Sequence, residues 1–159
     1  MLKEVKSAVQ FLTKILSWNH RVPNTKLETF SNSLEKLLQT KYERHWHPEK
    51  PFQGSAFRCI RINAKFIDPS IIKAADMSGL TQTDLEKMLP KEFTIWIDPH
   101  DVSYRIGEDG SICDIPLHDT SLITPNTESS FSFANQHCHS EVPRSNIIES
   151  TSVSTFAPC

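Results

Sequence analysis

The stretch FTIWIDPHDVSYRIGEDG, residues 93–110, constrains the fold more than any other part of this chain. On both sides of Asp98-Pro99, apolar side chains recur at every second residue, which is the period of a β-strand with one face in a core. The turn Gly107–Gly110 then leads into a further strand over 111–115. Because consecutive strands joined by short connections pair antiparallel, the stretch predicts a largely antiparallel sheet.

The first of these strands carries an unexpected side chain on its polar face. Its apolar stripe comes from alternate residues of 93–97, whereas Trp96 shares the opposite face with Thr94 and Asp98. If helices cover both faces of the sheet, the indole is simply core on the second side. The other interpretation is that another protein covers it. A carboxylate on the same face is costly to bury unpaired, and this favours the second interpretation.

A further strand with the same period is predicted over residues 56–63, AFRCIRIN. Ile60 and Ile62 share a face with Arg58, and Phe57 lies on the opposite face. Phe57 therefore offers a second aromatic side chain with polar neighbours. Two aromatics with an acidic rim are typical of a protein-binding hot spot, where truncation of one aromatic costs about 2 kcal/mol or more.

The N-terminal half is predicted to be helical. Apolar residues recur at three- and four-residue steps over 2–16 and again over 27–42, with a capping-box pattern at 25–28. Shorter helices are expected over 69–78, after the cap Asp68, and over 81–89. The predicted fold class is therefore mixed α/β of the α+β kind. An antiparallel N-terminal helix pair and further short helices pack on a small, largely antiparallel sheet.

The second helix contains the pattern LxxLL at Leu34, Leu37 and Leu38. Helices use this pattern to dock into hydrophobic grooves, such as those of nuclear receptors. Any amphipathic helix that buries one face in a core has the same spacing. Core burial is the favoured interpretation, and docking stays open as the alternative.

The composition changes near residue 118. Serine and threonine supply 14 of the last 40 residues, which include no lysine and no helical or strand period. We therefore predict a folded domain over 1–117 and a disordered Ser/Thr-rich tail over 118–159.

Bulk properties exclude several classes of partner. The formal net charge is −2, so nothing indicates direct binding of nucleic acid or of a membrane surface. The four cysteines have no paired spacing, which favours an intracellular, reducing compartment.

No pattern in the sequence indicates catalysis or a bound cofactor. His45 and His47 flank Trp46, and His137–His139 forms a second cluster, but neither cluster offers the spaced pairs that a structural zinc site needs. There is no nucleophile elbow, phosphate-binding loop or HExxH pattern. We expect no enzyme activity, no metal and no cofactor.

Two longer segments resemble a known family. HWHPEKPFQGSAFRCIRIN, residues 45–63, is similar to the first signature box of the BTG/Tob antiproliferative family. LPKEFTIWIDPHDVSYRIGEDGSIC, residues 89–113, is similar to the second box. With the preceding helices the resemblance spans roughly residues 1–115, and RIGEDGSIC, residues 105–113, looks most like the short BTG branch.

The resemblance implies a non-enzymatic adaptor of the cytoplasm and nucleus, expected to be a monomer. Such adaptors bind the Caf-type catalytic subunit of the CCR–Not deadenylase, promote mRNA deadenylation and translational repression, and restrain proliferation. The family's contact residues match Trp96, Asp98 and, in place of a usual tyrosine, Phe57. From Asp114 the chain reads DIPLHDT, unlike the further box of the short relatives, so contact with poly(A)-binding protein is not expected. The alternative is a transcriptional co-regulator that docks on DNA-bound factors through LxxLL or the box surface.

Overall fold

The computed structural model describes residues 1–18 and 22–117, together with the backbone of 138 and 139. Its α-helices are α1 (Leu2–Ser17), α2 (Asn24–Tyr42), α3 (Pro69–Ser78) and α4 (Gln82–Met88). Its strands are β1 (Cys59–Asn63), β2 (Phe66–Ile67), β3 (Phe93–Asp98), β4 (Asp101–Ile106), β5 (Ile112–Asp114) and β6 (Cys138–His139). Short 3-10 turns occupy Glu43–His45 and Ser55–Arg58.

The strands form one sheet in the order β2-β1-β3-β4-β5-β6, and every neighbouring pair is antiparallel. Four helices on such a sheet confirm the predicted fold class. The predicted disordered tail lies outside the described residues, except for the backbone of β6. In the described part of the chain, no helix is both long and apolar enough to span a membrane. Cys59 is a free thiol, whereas Cys113 is disulfide-bonded.

The predicted helix pair forms and packs its apolar stripes into the core. Leu34 and Leu38 of the LxxLL pattern are 0% exposed, and Leu37 is partly buried against the same core. The interpretation of these leucines as core residues is thus confirmed for Leu34 and Leu38. Groove docking through them would require α2 to leave the domain, because an occupied core position cannot also face a partner.

Of the two predicted caps, the one at Asp68 forms and the one at Thr25 does not, and a capping box that was not predicted begins α4. The Asp68 side chain accepts a hydrogen bond from the Ser70 amide at 2.8 Å, and Thr81 with Asp84 forms a capping box at the start of α4. The capping box predicted at Thr25 is absent. The reason is that α2 begins at Asn24, with Pro23 at the cap position, so Thr25 is already the second helical residue.

The β3–β4 hairpin closes through Pro99 and His100. His100 has φ of 68°, a left-handed conformation that is uncommon for a residue other than glycine. Proline followed by a left-handed residue is the arrangement of a type II turn. The His100 amide donates to Glu4 Oε1 at 3.2 Å, which ties the turn to α1. Helix α1 therefore fixes the end of the strand that carries Trp96.

Candidate functional site

The face of β3 that carries Trp96 lies opposite the face covered by α1. Phe11 of α1 packs on Phe93 and Tyr104, with ring centroids 6.2 and 4.6 Å apart. Ile95 and Ile97 on this inner face are fully buried. Trp96 points to the other side and is only partly buried. The indole is therefore neither sealed as second-side core nor fully exposed.

Cross-strand neighbours define the surroundings of Trp96. The register places Cys59 of β1 and Ser103 of β4 on either side of it. The Arg105 guanidinium lies 5.8 Å from the centre of the indole, within range of a cation–π interaction. Burial, and then the negative charge of Asp68, raise the pKa of the Cys59 thiol. An aromatic ring, an arginine and a protonated thiol thus share this surface.

Phe57 lies two residues before Cys59, the cross-strand neighbour of Trp96, but not in the predicted strand. It belongs to the 3-10 turn Ser55–Arg58, and β1 begins only at Cys59. The prediction of a strand from residue 56 is therefore wrong by three residues. The turn contacts β3, and Phe57 is 59% exposed. Its ring stacks on His45, with centroids 4.2 Å apart and planes 9° apart.

Asp98 is placed differently from the exposed acidic rim expected from the sequence. Its side chain is almost fully buried, with the residue 3% exposed. Oδ1 accepts hydrogen bonds from Arg58 Nε at 3.2 Å and Nη2 at 2.7 Å, and Oδ2 accepts one from Ser55 Oγ at 2.9 Å. An unpaired carboxylate is costly to bury. Asp98 can be buried because Arg58 and Ser55 pair with its carboxylate.

Arg58 is the residue of this site that the sequence analysis missed. It is 0% exposed and is the largest fully buried side chain of the described residues. Besides Asp98 it donates to the carbonyl oxygens of Ile97, at 3.1 Å, and Gln53, at 2.8 Å. Shorter contacts reach the carbonyls of His45 and Pro51. The available signal was the shared alternation with Ile60 and Ile62, which puts the arginine on the core side.

The loop that Arg58 contacts carries another exposed aromatic. Phe52 is 77% exposed and lies between Pro51 and Gln53, whose carbonyls Arg58 binds. The sequence offers no periodic signal for it, because the segment is a loop with two prolines. The arrangement as a whole presents partly or largely exposed rings on a frame anchored to the sheet. Such a surface can bind a protein through aromatic anchors.

The described residues contain no group of three or more His, Cys, Asp or Glu side chains that could hold a metal ion. The His45 ring is instead stacked on Phe57. The second cluster, residues 137–139, lies outside the side chains that the structure describes.

The sequence is similar to proteins of one family. The sequence profile of the BTG family matches residues 1–116. Chicken BTG1 is 51% identical over 113 residues, which are 71% of this chain and 66% of BTG1. Human BTG2 is 50% identical over 113 residues, 71% of each protein. Human Tob2 is 42% identical over 120 residues, 76% of this chain and 34% of Tob2.

Among solved structures, a variant of the C. elegans FOG-3 BTG/Tob domain superposes with a TM-score of 0.65 at 24% identity. The match covers 75% of this chain and 84% of that one. At this identity the likeness concerns the fold alone.

Proposed function

This chain belongs to the BTG/Tob antiproliferative family, and we propose that it is a non-enzymatic adaptor for mRNA deadenylation. In this proposal it binds the Caf-type catalytic subunit of the CCR–Not deadenylase through the surface around Trp96 and Phe57. Binding promotes shortening of poly(A) tails, translational repression and negative regulation of proliferation.

The exposure of Phe57, two residues before the cross-strand neighbour of Trp96, is the observation that supports the proposal most. A ring that is 59% exposed loses contact with water only when something else covers it. Covering large rings at the centre of an interface supplies most of the affinity of many complexes. The arginine at position 105 adds a charged group at the edge of the same surface.

The adaptor performs no chemistry itself. A molecule that holds the deadenylase on a transcript raises the local concentration of the enzyme at the poly(A) tail. A surface built from a few aromatic anchors suits a small or standard-sized interface that can exchange partners. The activity then depends on affinity for the enzyme and on recruitment to the transcript.

A capture experiment tests this function. Immobilised wild-type chain is expected to retain the purified deadenylase catalytic subunit, and Trp96→Ala is expected to lose at least about 30-fold in affinity. Trp18→Ala is the matched control, because Trp18 is a half-exposed tryptophan at the end of α1. Circular dichroism establishes that both variants are folded. Equal capture by wild type and Trp96→Ala contradicts the proposal.

Docking as a co-regulator through LxxLL has less support. Two of the three leucines are fully enclosed by the domain, so the helix has no free groove-binding face formed by them.

A further inference from the structure

We infer that Asp98 and Arg58 are positioning residues of the proposed deadenylase site. Together they hold the loop 45–57 in its binding conformation, and Asp98 does not itself contact the partner. The inference rests on the proposed function for its affinity readout. It differs from the family resemblance, which implies Asp98 as a contact residue.

The first argument is the burial of the ion pair. Arg58 is 0% exposed and Asp98 is 3% exposed, so neither charged group faces a molecule that approaches the surface. The carboxylate receives two guanidinium hydrogen bonds and one from Ser55. A partner could reach Asp98 only by displacing these donors, which would leave a buried guanidinium uncompensated.

The second argument is the distribution of the arginine's remaining donors. They reach backbone carbonyls at three positions along the loop, at His45, Pro51 and Gln53. A guanidinium has five donors in a rigid planar fork and is suited to fixing several acceptors at once. The indole of Trp46 lies 5.5 Å from the guanidinium carbon and adds a further contact. One side chain thus fixes the start of the loop and two positions in its second half.

The third argument is what this loop presents. His45, held through its carbonyl, supplies the ring on which Phe57 stacks, and Phe52 lies between two of the bound carbonyls. Gly54 turns the chain with φ of 78° and passes so close that an added Cβ would lie 3.2 Å from Arg58 Nη1. The loop geometry and the arginine are therefore fitted to one another.

This arrangement has a consequence for binding. A loop that is ordered before binding does not have to be ordered by the partner, so affinity is higher. Asp98 keeps Arg58 in place because a buried arginine stays charged and requires a counter-ion. Loss of either residue frees the loop and weakens binding by about tenfold or more, although no contact with the partner is removed.

The test uses the full chain with Arg58→Lys, Asp98→Asn and the double variant Arg58→Lys/Asp98→Asn. Asp68→Asn is the control, because Asp68 is also a buried aspartate paired with a basic side chain, Lys41, but it caps α3. Amide hydrogen exchange of each free chain is measured by mass spectrometry. Calorimetry then gives the affinity for the purified deadenylase catalytic subunit.

The inference predicts faster exchange of loop amides in the Arg58 and Asp98 variants, at Lys50, Gln53, Ser55 and Phe57, with β3 still protected. The affinity of the double variant equals that of whichever single variant binds less tightly, because both changes release the same loop. Asp68→Asn leaves loop exchange and affinity at wild-type levels. Arg58→Lys keeps a positive charge opposite Asp98 but loses the planar fork that holds the loop, and it decides the question if Asp98→Asn does not fold.

Three results overturn the inference. The first is amide hydrogen exchange of the loop in Arg58→Lys that is as slow as in the wild type. The second is weaker binding of Asp98→Asn without faster amide exchange of its loop. The third is a loss of affinity in the double variant that equals the product of the two single losses. The last two would show that Asp98 acts on the partner directly. If the wild-type chain does not bind the deadenylase, the proposed function fails. Exchange in the free chain then decides by itself whether the ion pair holds the loop.

Discussion

Replacement of Phe57 by alanine distinguishes a residue of the binding surface from a residue of the core, because it should weaken binding more than it weakens folding. With 59% of the residue exposed, an aromatic side chain of about 200 Å² leaves roughly 120 Å² for a partner to cover. At about 25 cal/mol per Å² this area is worth up to about 3 kcal/mol of binding free energy. Ordering costs reduce that figure, so we expect Phe57→Ala to lose about 2 kcal/mol, or about 30-fold in affinity.

The same substitution has a small effect on folding. Phe57 is largely exposed and stacks on the partly buried ring of His45, so we expect the free energy of unfolding to fall by only about 1 kcal/mol. Phe93→Ala is the buried counterpart, since Phe93 is enclosed between the sheet and α1, and it should cost about 3–5 kcal/mol.

Urea denaturation of the free chain and calorimetric titration with the deadenylase subunit give the two free energies. If Phe57→Ala binds within about twofold of wild type, the ring is not an anchor and the surface assignment fails. If its unfolding free energy falls as much as that of Phe93→Ala, the ring is part of the core.

Three further outcomes follow from the structure. Leu38→Ala should lower the free energy of unfolding by about 2–5 kcal/mol in urea denaturation, while folded molecules keep their affinity for the deadenylase; lost binding without lost stability would favour docking by this helix. The Thr81 side chain and amide lower the pKa of Asp84, so the cap stabilises α4 above the unfolded pKa and is lost as the pH falls through the folded value. Amide exchange of α4 at acid pH measures this loss, and Asp84→Asn should remove the pH dependence. Burial raises the pKa of Cys59, so its thiol should be alkylated more slowly in the folded chain than in the urea-unfolded chain. The rate in the folded chain should rise above neutral pH. Equal rates in the folded and unfolded chains would contradict the burial of this thiol.

Most of the secondary structure was predictable because its signals are local. The period of two along residues 93–106 determines a hairpin, α3 begins after the predicted cap Asp68, and α4 begins within one residue of its predicted start. The errors occur where short-range signals compete. Thr25 and Glu28 match a capping box, but the helix begins at Asn24, and Phe57 fits a strand period although its backbone forms a 3-10 turn.

The outward direction of Trp96 was predictable from the sequence, whereas the surroundings of Asp98 and the role of Arg58 were not. Alternation put Trp96 on the face away from the apolar stripe, and the ring is partly exposed there. The same alternation grouped Asp98 with Trp96 on a surface. It could not reveal that Arg58 would reach the carboxylate, because a period of two describes the direction of a side chain and not its distance from a residue elsewhere in the chain.

The sequence by itself determined the order of the four α-helices and of β1, β3, β4 and β5, the inner and outer faces of β3, and membership of the BTG/Tob family. These depend on spacing between near neighbours and on the identity of long segments. Only the tertiary structure decided that Asp98 is enclosed and that a loop with exposed rings is held by Arg58. The two residues of that ion pair are 40 positions apart, and they meet because β1 pairs with β3. A charged side chain can be buried only where the fold brings a partner within hydrogen-bonding distance, since that partner offsets the cost of removing the charge from water.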